Sequence, residues 1–238
     1  MDTSRSSNVE WLSLSAIHDI RSPLAIVKGF WELGSDKAFN QRHQEIITRN
    51  LNEMTQMVDS LLALHSMRPY QALDMGRLVR QICDDYSETC ETRQLRLSLS
   101  GEPFTVSGDA LALRQCLRVL LDNAVEVTPR GGDIRIALQI QCDFGIISVH
   151  DTGPGIPETL RDRLFEPGFT TKTHGHGLGL AIGRQVLRQH QGDLRLGESQ
   201  AGSLFSMWLP LLEDHDEPFT GDLARRPRPS GRGGRVSR

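Results

Sequence analysis

Two groups of side chains in this sequence could move a phosphoryl group: one placed to attack and one placed to hold the donor. His18 opens the string His18-Asp19-Ile20-Arg21-Ser22-Pro23-Leu24. Far downstream stand Leu120-Leu121-Asp122-Asn123-Ala124, Asp151-Thr152-Gly153-Pro154-Gly155-Ile156, Phe169-Thr170-Thr171-Lys172 and Gly175-His176-Gly177-Leu178-Gly179. A neutral imidazole offers a ring-nitrogen lone pair and can attack phosphorus. A carboxylate at a strand end, as at Asp151, can accept the exocyclic amine of adenine, a contact guanine does not offer. Gly153 and Gly155 allow a tight turn and a close backbone approach to a base. Gly175, Gly177 and Gly179 lead into a helix that starts near Leu178, where backbone amides favour an anion and glycines admit phosphate. Lys172 reads either as a point charge for a terminal phosphate or as a solvated side chain. His174 and His176 stand two apart with no third ligand and are not a metal pair. No Gly-Lys-Ser/Thr follows the glycines, and no dinucleotide-binding fingerprint fits, which argues against those two nucleotide folds.

Two kinds of element must position these residues. Ile17, Ile20, Leu24, Val27 and Trp31 repeat at intervals of three and four, the seam of a bundle helix, and Ile47, Leu51, Met54, Val58 and Leu61 repeat the rhythm. Gly34-Ser35-Asp36 breaks the first run, so residues 9–67 read as an antiparallel helical hairpin. One hairpin leaves much of both seams wet; pairing two buries them, which predicts a homodimer with a four-helix bundle. With Ile17 and Ile20 on the seam, His18 faces outward, where an imidazole is largely neutral at cytosolic pH. Pro23 cannot donate the helical hydrogen bond to Asp19 and should bend the helix beside the histidine. Arg68-Pro69 opens a linker over 68–73. Residues 74–212 then alternate helices (75–92, 109–127, 178–190) with strands (94–100, 133–141, 144–150, 193–197, 204–209), a mixed domain of roughly 140 residues, a common size. Residues 1–8 and the acidic, then Arg-rich, stretch 213–238 read as disordered.

Composition removes other classes. A 238-residue chain with 38% hydrophobic and 24% charged residues is globular, and at 5% aromatic its cores must be aliphatic. A formal charge of −3 gives no ground for a nucleic-acid partner, and the basic tail reads as solvated. Cys83, Cys90, Cys116 and Cys142 form no CxxC pair or zinc cluster and suit a reducing cytoplasm. No apolar run of about eighteen residues is present, so no membrane span is expected.

In this order and spacing the motifs resemble the transmitter core of bacterial two-component sensor histidine kinases. That core joins a HisKA-type dimerisation and phosphoacceptor hairpin to an ATP-binding domain of the Bergerat type. The resemblance covers about residues 9–212 and implies an α+β chain: a helical hairpin forming a dimeric four-helix bundle, then an α/β sandwich. It implies ATP and Mg²⁺ as cofactors, phosphorylation of His18, and transfer to an aspartate of a response-regulator receiver domain in the cytoplasm, with the stimulus read by a separate sensor protein or another part of a longer chain. It makes Asp19 the base or orienting acid of His18. It puts Ser22, where Thr or Asn is usual, at a position linked to hydrolysis of the phosphorylated partner. Asn123 would offer its side-chain oxygen to Mg²⁺, and Asp151 would read adenine. Gly153, Gly155, Thr171, Lys172, Gly175, Gly177, Leu178 and Gly179 would line the nucleotide, with Phe165 and Phe169 anchoring a lid. Two positions depart from the usual pattern: Val119 replaces an Asn and Glu126 replaces a frequent Lys. Both changes remove triphosphate or metal contacts and leave a second reading, a catalytically weak phosphorelay or docking module of the same fold.

Overall fold

The computed structural model describes residues 20–21, 23–30, 41–65, 68–172 and 177–212. The expectations for both ends of the chain and for the loop near Gly34 fall outside the described residues. In chain order the elements are α1 (helical at 20–21 and 23–30), α2 (Gln41–Leu64), β1 (Gln71–Asp74), α3 (Met75–Arg93), β2 (Arg96–Gly101), β3 (Thr105–Gly108), α4 (Ala110–Val127), β4 (Asp133–Gln141), β5 (Phe144–Asp151), α5 (Glu158–Arg161), α6 (Gly179–Gln189), β6 (Asp193–Gly197) and β7 (Leu204–Pro210).

Alternation builds the sheet. Ile134, Ile136 and Leu138 take every second position of β4 and are buried, while Arg135 between them is exposed. β4 and β5 form a hairpin whose two-residue turn is Cys142-Asp143, with Cys142 at φ 50°. Five strands run in the order β2-β4-β5-β7-β6, with β2 parallel to β4 and the other pairs antiparallel. Helices cover one face. Leu113, Leu117, Leu120, Leu121 and Ala124 lie on one stripe of α4 and are buried; Leu111 is off the stripe and exposed. Truncating a fully buried residue such as Leu117 to Ala should cost about 2–5 kcal/mol.

Asp74 caps α3 by accepting from the Arg77 amide at 2.9 Å, and Asp109 caps α4 by accepting from Leu111 at 2.8 Å. Together α3, α4 and α6 make the second layer of an α/β sandwich.

The stretch expected to be linker, 68–73, is only partly so. From Gln71 it pairs with β3 as a two-stranded antiparallel sheet, with Leu73 opposite Val106. Four-residue strands carry too little alternation to stand out in a sequence. In the hairpin, Phe30 meets His43 with ring centroids 5.1 Å apart, as two helices folded back on each other require. The last two turns of α2 also pack on α4 and α6, burying Met57, Ser60, Ala63 and Leu64. The seam rhythm did not announce that second contact.

Candidate nucleotide-binding site

A cleft of about 920 Å³ opens between α4, the end of β5, the segment 169–172 and the start of α6. Asn123, Asp151, Gly155, Thr171, Lys172, Gly177, Leu178 and Gly179 all line it. His18, Asp19, Ser22 and Gly175 lie outside the described residues.

Asp151 ends β5 and is nearly buried. Its Oδ1 accepts from the Gly153 amide at 2.8 Å and the Ser203 amide at 3.3 Å. Its Oδ2 has no hydrogen bond to a described residue, so two backbone donors hold the carboxylate and leave one oxygen for a ligand. The loop around it needs its glycines: a Cβ on Gly202, at φ 73°, would stand 1.8 Å from the Asp151 carbonyl oxygen.

Phosphate-sized space lies at the other end. Gly168 donates to the Gly177 carbonyl at 3.1 Å and ties the two ends of the lid together. Gly177 has φ 67°, and a Cβ there would meet the Gly168 carbonyl carbon at 2.4 Å. Unlike α3 and α4, α6 starts with no side-chain cap, which leaves its first amides to the cleft. Phe169 sits under the Arg163 guanidinium at 4.5 Å and Phe165 under that of Arg184 at 4.6 Å, so both phenyl rings are clamped at the lid base.

Lys172 is partly exposed but held by two partners. Its Nζ donates to Asn123 Oδ1 at 2.7 Å and pairs with Glu126 Oε2 at 2.5 Å. Glu126, which the sequence presents only as a lost contact, therefore holds the lid lysine. Val119, the other departure, lies against the start of α6: a Cβ on Gly179 would come 3.0 Å from its Cγ1. The donor set fits a hard cation, since an amide oxygen and a carboxylate oxygen converge on one positive centre.

Several lining residues carry no motif and were missed. Arg49, Gln56, Met57 and Ser60 reach the cleft from α2. Gln56 donates to Asp122 Oδ2 at 3.1 Å, and the Tyr86 hydroxyl donates to Asp122 Oδ1 at 2.5 Å. Burial pushes the Asp122 carboxyl above its ordinary range, against the pull of Tyr86 and Arg118. The one sequence signal was Asp122 itself, a carboxylate interrupting an apolar run. The cysteines take no part: burial pushes the Cys83 thiol up to about 11 and Cys116 up to about 12, so both stay protonated.

Comparison with known proteins gives the same two parts. Residues 15–69 match the His Kinase A (phospho-acceptor) domain, and residues 108–213 match the histidine kinase-, DNA gyrase B- and HSP90-like ATPase family. The sensor histidine kinase ZraS of Escherichia coli is 29% identical over 219 residues, 87% of this chain and 46% of that protein. The mycobacterial sensor histidine kinase MprB is 30% identical with a TM-score of 0.52 over 60% of this chain and 97% of the solved one. Histidine kinase ThkA, solved in complex with the response regulator protein TrrA, has a TM-score of 0.70 at 25% identity, over 89% of this chain and 64% of that one. The chain spans less than half the length of the curated relatives it matches.

Proposed function

This chain belongs to the two-component sensor histidine kinases, and we propose that it is an ATP-dependent protein histidine kinase phosphorylated on its own His18. The observation that carries the reading is the joint placement of Asp151, Asn123 and the Gly177–Gly179 helix start around one cleft.

Asp151 reads the adenine amine with the oxygen its backbone donors leave open. The α6 amides and Gly177 receive the phosphates. Asn123 would hold Mg²⁺, which when bound neutralises charge on the transferring phosphoryl group. A ring nitrogen of His18 attacks the terminal phosphorus; the P–N bond forms as the P–O bond to the ADP leaving group breaks. The proton on the other ring nitrogen passes to Asp19. Catalysis is then a matter of positioning and electrostatics. The phosphoryl group next passes to an aspartate of a response-regulator receiver domain, a partner class supported by the ThkA–TrrA complex. Two copies pair through their hairpins, and the reaction runs in the cytoplasm. The four cysteines without a disulfide suit that compartment. Among the described residues no helix is long and apolar enough to cross a membrane.

With γ-labelled ATP, the unaltered chain should take up acid-labile phosphate. A His18→Ala variant should take up none while binding nucleotide as before. Label that survives the change refutes His18 as the acceptor.

A further inference from the structure

Glu126 stands where a lysine is frequent, one helical turn beyond Asn123, so both side chains leave the same face of α4. Their oxygens already enclose a cation: Lys172 Nζ lies 2.7 Å from Asn123 Oδ1 and 2.5 Å from Glu126 Oε2. The ammonium comes from the lid, whose Thr170 hydroxyl accepts from the Lys172 amide at 3.1 Å and fixes the turn that aims it. The pair is open to water, with Lys172 32% and Glu126 51% exposed, and a pair of that kind is weak and readily exchanged.

Resting on the nucleotide assignment of this cleft, we propose that Glu126 is a second ligand of the nucleotide-bound metal beside Asn123, and that Lys172 occupies their position as an internal counter-cation until Mg-ATP arrives. Two convergent oxygens suit a small dication that draws its ligands in to about 2.1 Å and takes its remaining ligands from water and phosphate. The exchange accounts for both unusual charges. A lysine at 126 would bring positive charge to the phosphates from the helix; here the helix supplies the carboxylate and the lid supplies the ammonium. Displaced from Asn123 and Glu126, the Lys172 ammonium becomes available to the terminal phosphate in the same event that loads the metal. Without metal, Glu126 and Asn123 keep the Lys172 ammonium from the triphosphate, so metal dependence of binding is stronger than Asn123 alone would make it.

The test is equilibrium binding of trinitrophenyl-ATP to the full chain, in Mg²⁺ and in EDTA. In Glu126→Gln the tightening by Mg²⁺ should shrink about tenfold, the scale set by removing one charged ligand, with affinity in EDTA equal to or higher than in the unaltered chain. Glu126→Asp should keep most of the metal effect. A second readout is Mn²⁺ binding to the nucleotide-free chain by electron paramagnetic resonance. Lys172→Met should bind Mn²⁺ more tightly than the unaltered chain, and adding Glu126→Gln should abolish the gain. Glu126→Gln with intact binding and an unchanged Mg²⁺ effect overturns the proposal and leaves the nucleotide site standing. An unaltered chain that binds no analogue in either condition removes the site and the proposal together.

Discussion

On the reading proposed for Asp151, a single residue would acquire its function from its backbone. Gly153 and Ser203 amides fix one carboxylate oxygen of a residue that lines the cleft, and an ionised carboxylate can only accept. Asn at this position can keep Oδ1 on the same two amides, but it must then turn an NH₂ group toward the base. A donor would face the adenine amine, also a donor, and both would lose their partner on burial. Asp151→Asn should therefore bind ATP more weakly by about 2 kcal/mol, roughly thirtyfold, while folding normally. Titration calorimetry checks the affinity and circular dichroism the fold. Equal affinity for the two proteins would mean that another group reads the base. Guanine, which presents an oxygen at that edge, should be discriminated against less by the variant than by the unaltered chain.

At the scale of elements, the placement of α4 depends on α6 through a histidine that has no part in the chemistry. The Asp109 amide donates to His190 Nε2 at 3.0 Å, and His190 Nδ1 donates to the Val186 carbonyl at 2.8 Å, while Tyr70 stacks on the ring at 4.5 Å. Accepting at one nitrogen and donating at the other requires the neutral ring. Burial lowers the His190 pKa below its ordinary value, although the Val186 contact and Asp109 pull it up. The unfolded chain thus binds the extra proton first as pH falls. The stability His190 contributes is full above the ordinary imidazole range and is lost as pH drops from there through the lowered pKa. His190→Gln should melt below the unaltered chain at about pH 8, and the difference should narrow toward about pH 5. Parallel loss of melting temperature in both proteins would show that His190 does not set this dependence.

Much at this scale was legible in the sequence. The α4 helix and the β4–β5 hairpin follow from local pattern alone, so their bounds fall within a residue or two of the observed ones. What escaped was tertiary. Met57, Ser60 and Ala63 look like an unremarkable mixture until α4 and α6 cover them. Glu126 reads as a loss until Lys172, distant in sequence, arrives beside it.

Over the whole molecule, α2 has to satisfy two neighbours at once. One face, Met57 to Leu64, is buried on the α/β domain, with Gln56 reaching Asp122 next to Asn123. The other carries Leu51, Val58 and Leu62, all exposed, and α1 adds exposed Leu24 and Ile26. Their spacing along α2, seven residues and then four, is that of a helix seam rather than of scattered surface residues. A single chain has nothing among its described residues to cover this face, whereas a second copy brings an identical stripe related by a twofold axis. The same helix would then transmit strain from the dimer seam to the nucleotide cleft, because its two faces are rigidly joined by one backbone. Replacing Leu51 and Val58 together with Asp would place four charges in the paired seam, and dimer dissociation should strengthen by at least about a hundredfold. Light scattering should show the unaltered chain at twice the monomer mass and the double variant at the monomer mass. Trinitrophenyl-ATP binding should persist in the variant, since neither residue lines the cleft. A monomeric unaltered chain at micromolar concentration would refute the seam. Loss of nucleotide binding along with the dimer would instead show that the cleft needs the second copy to hold its shape.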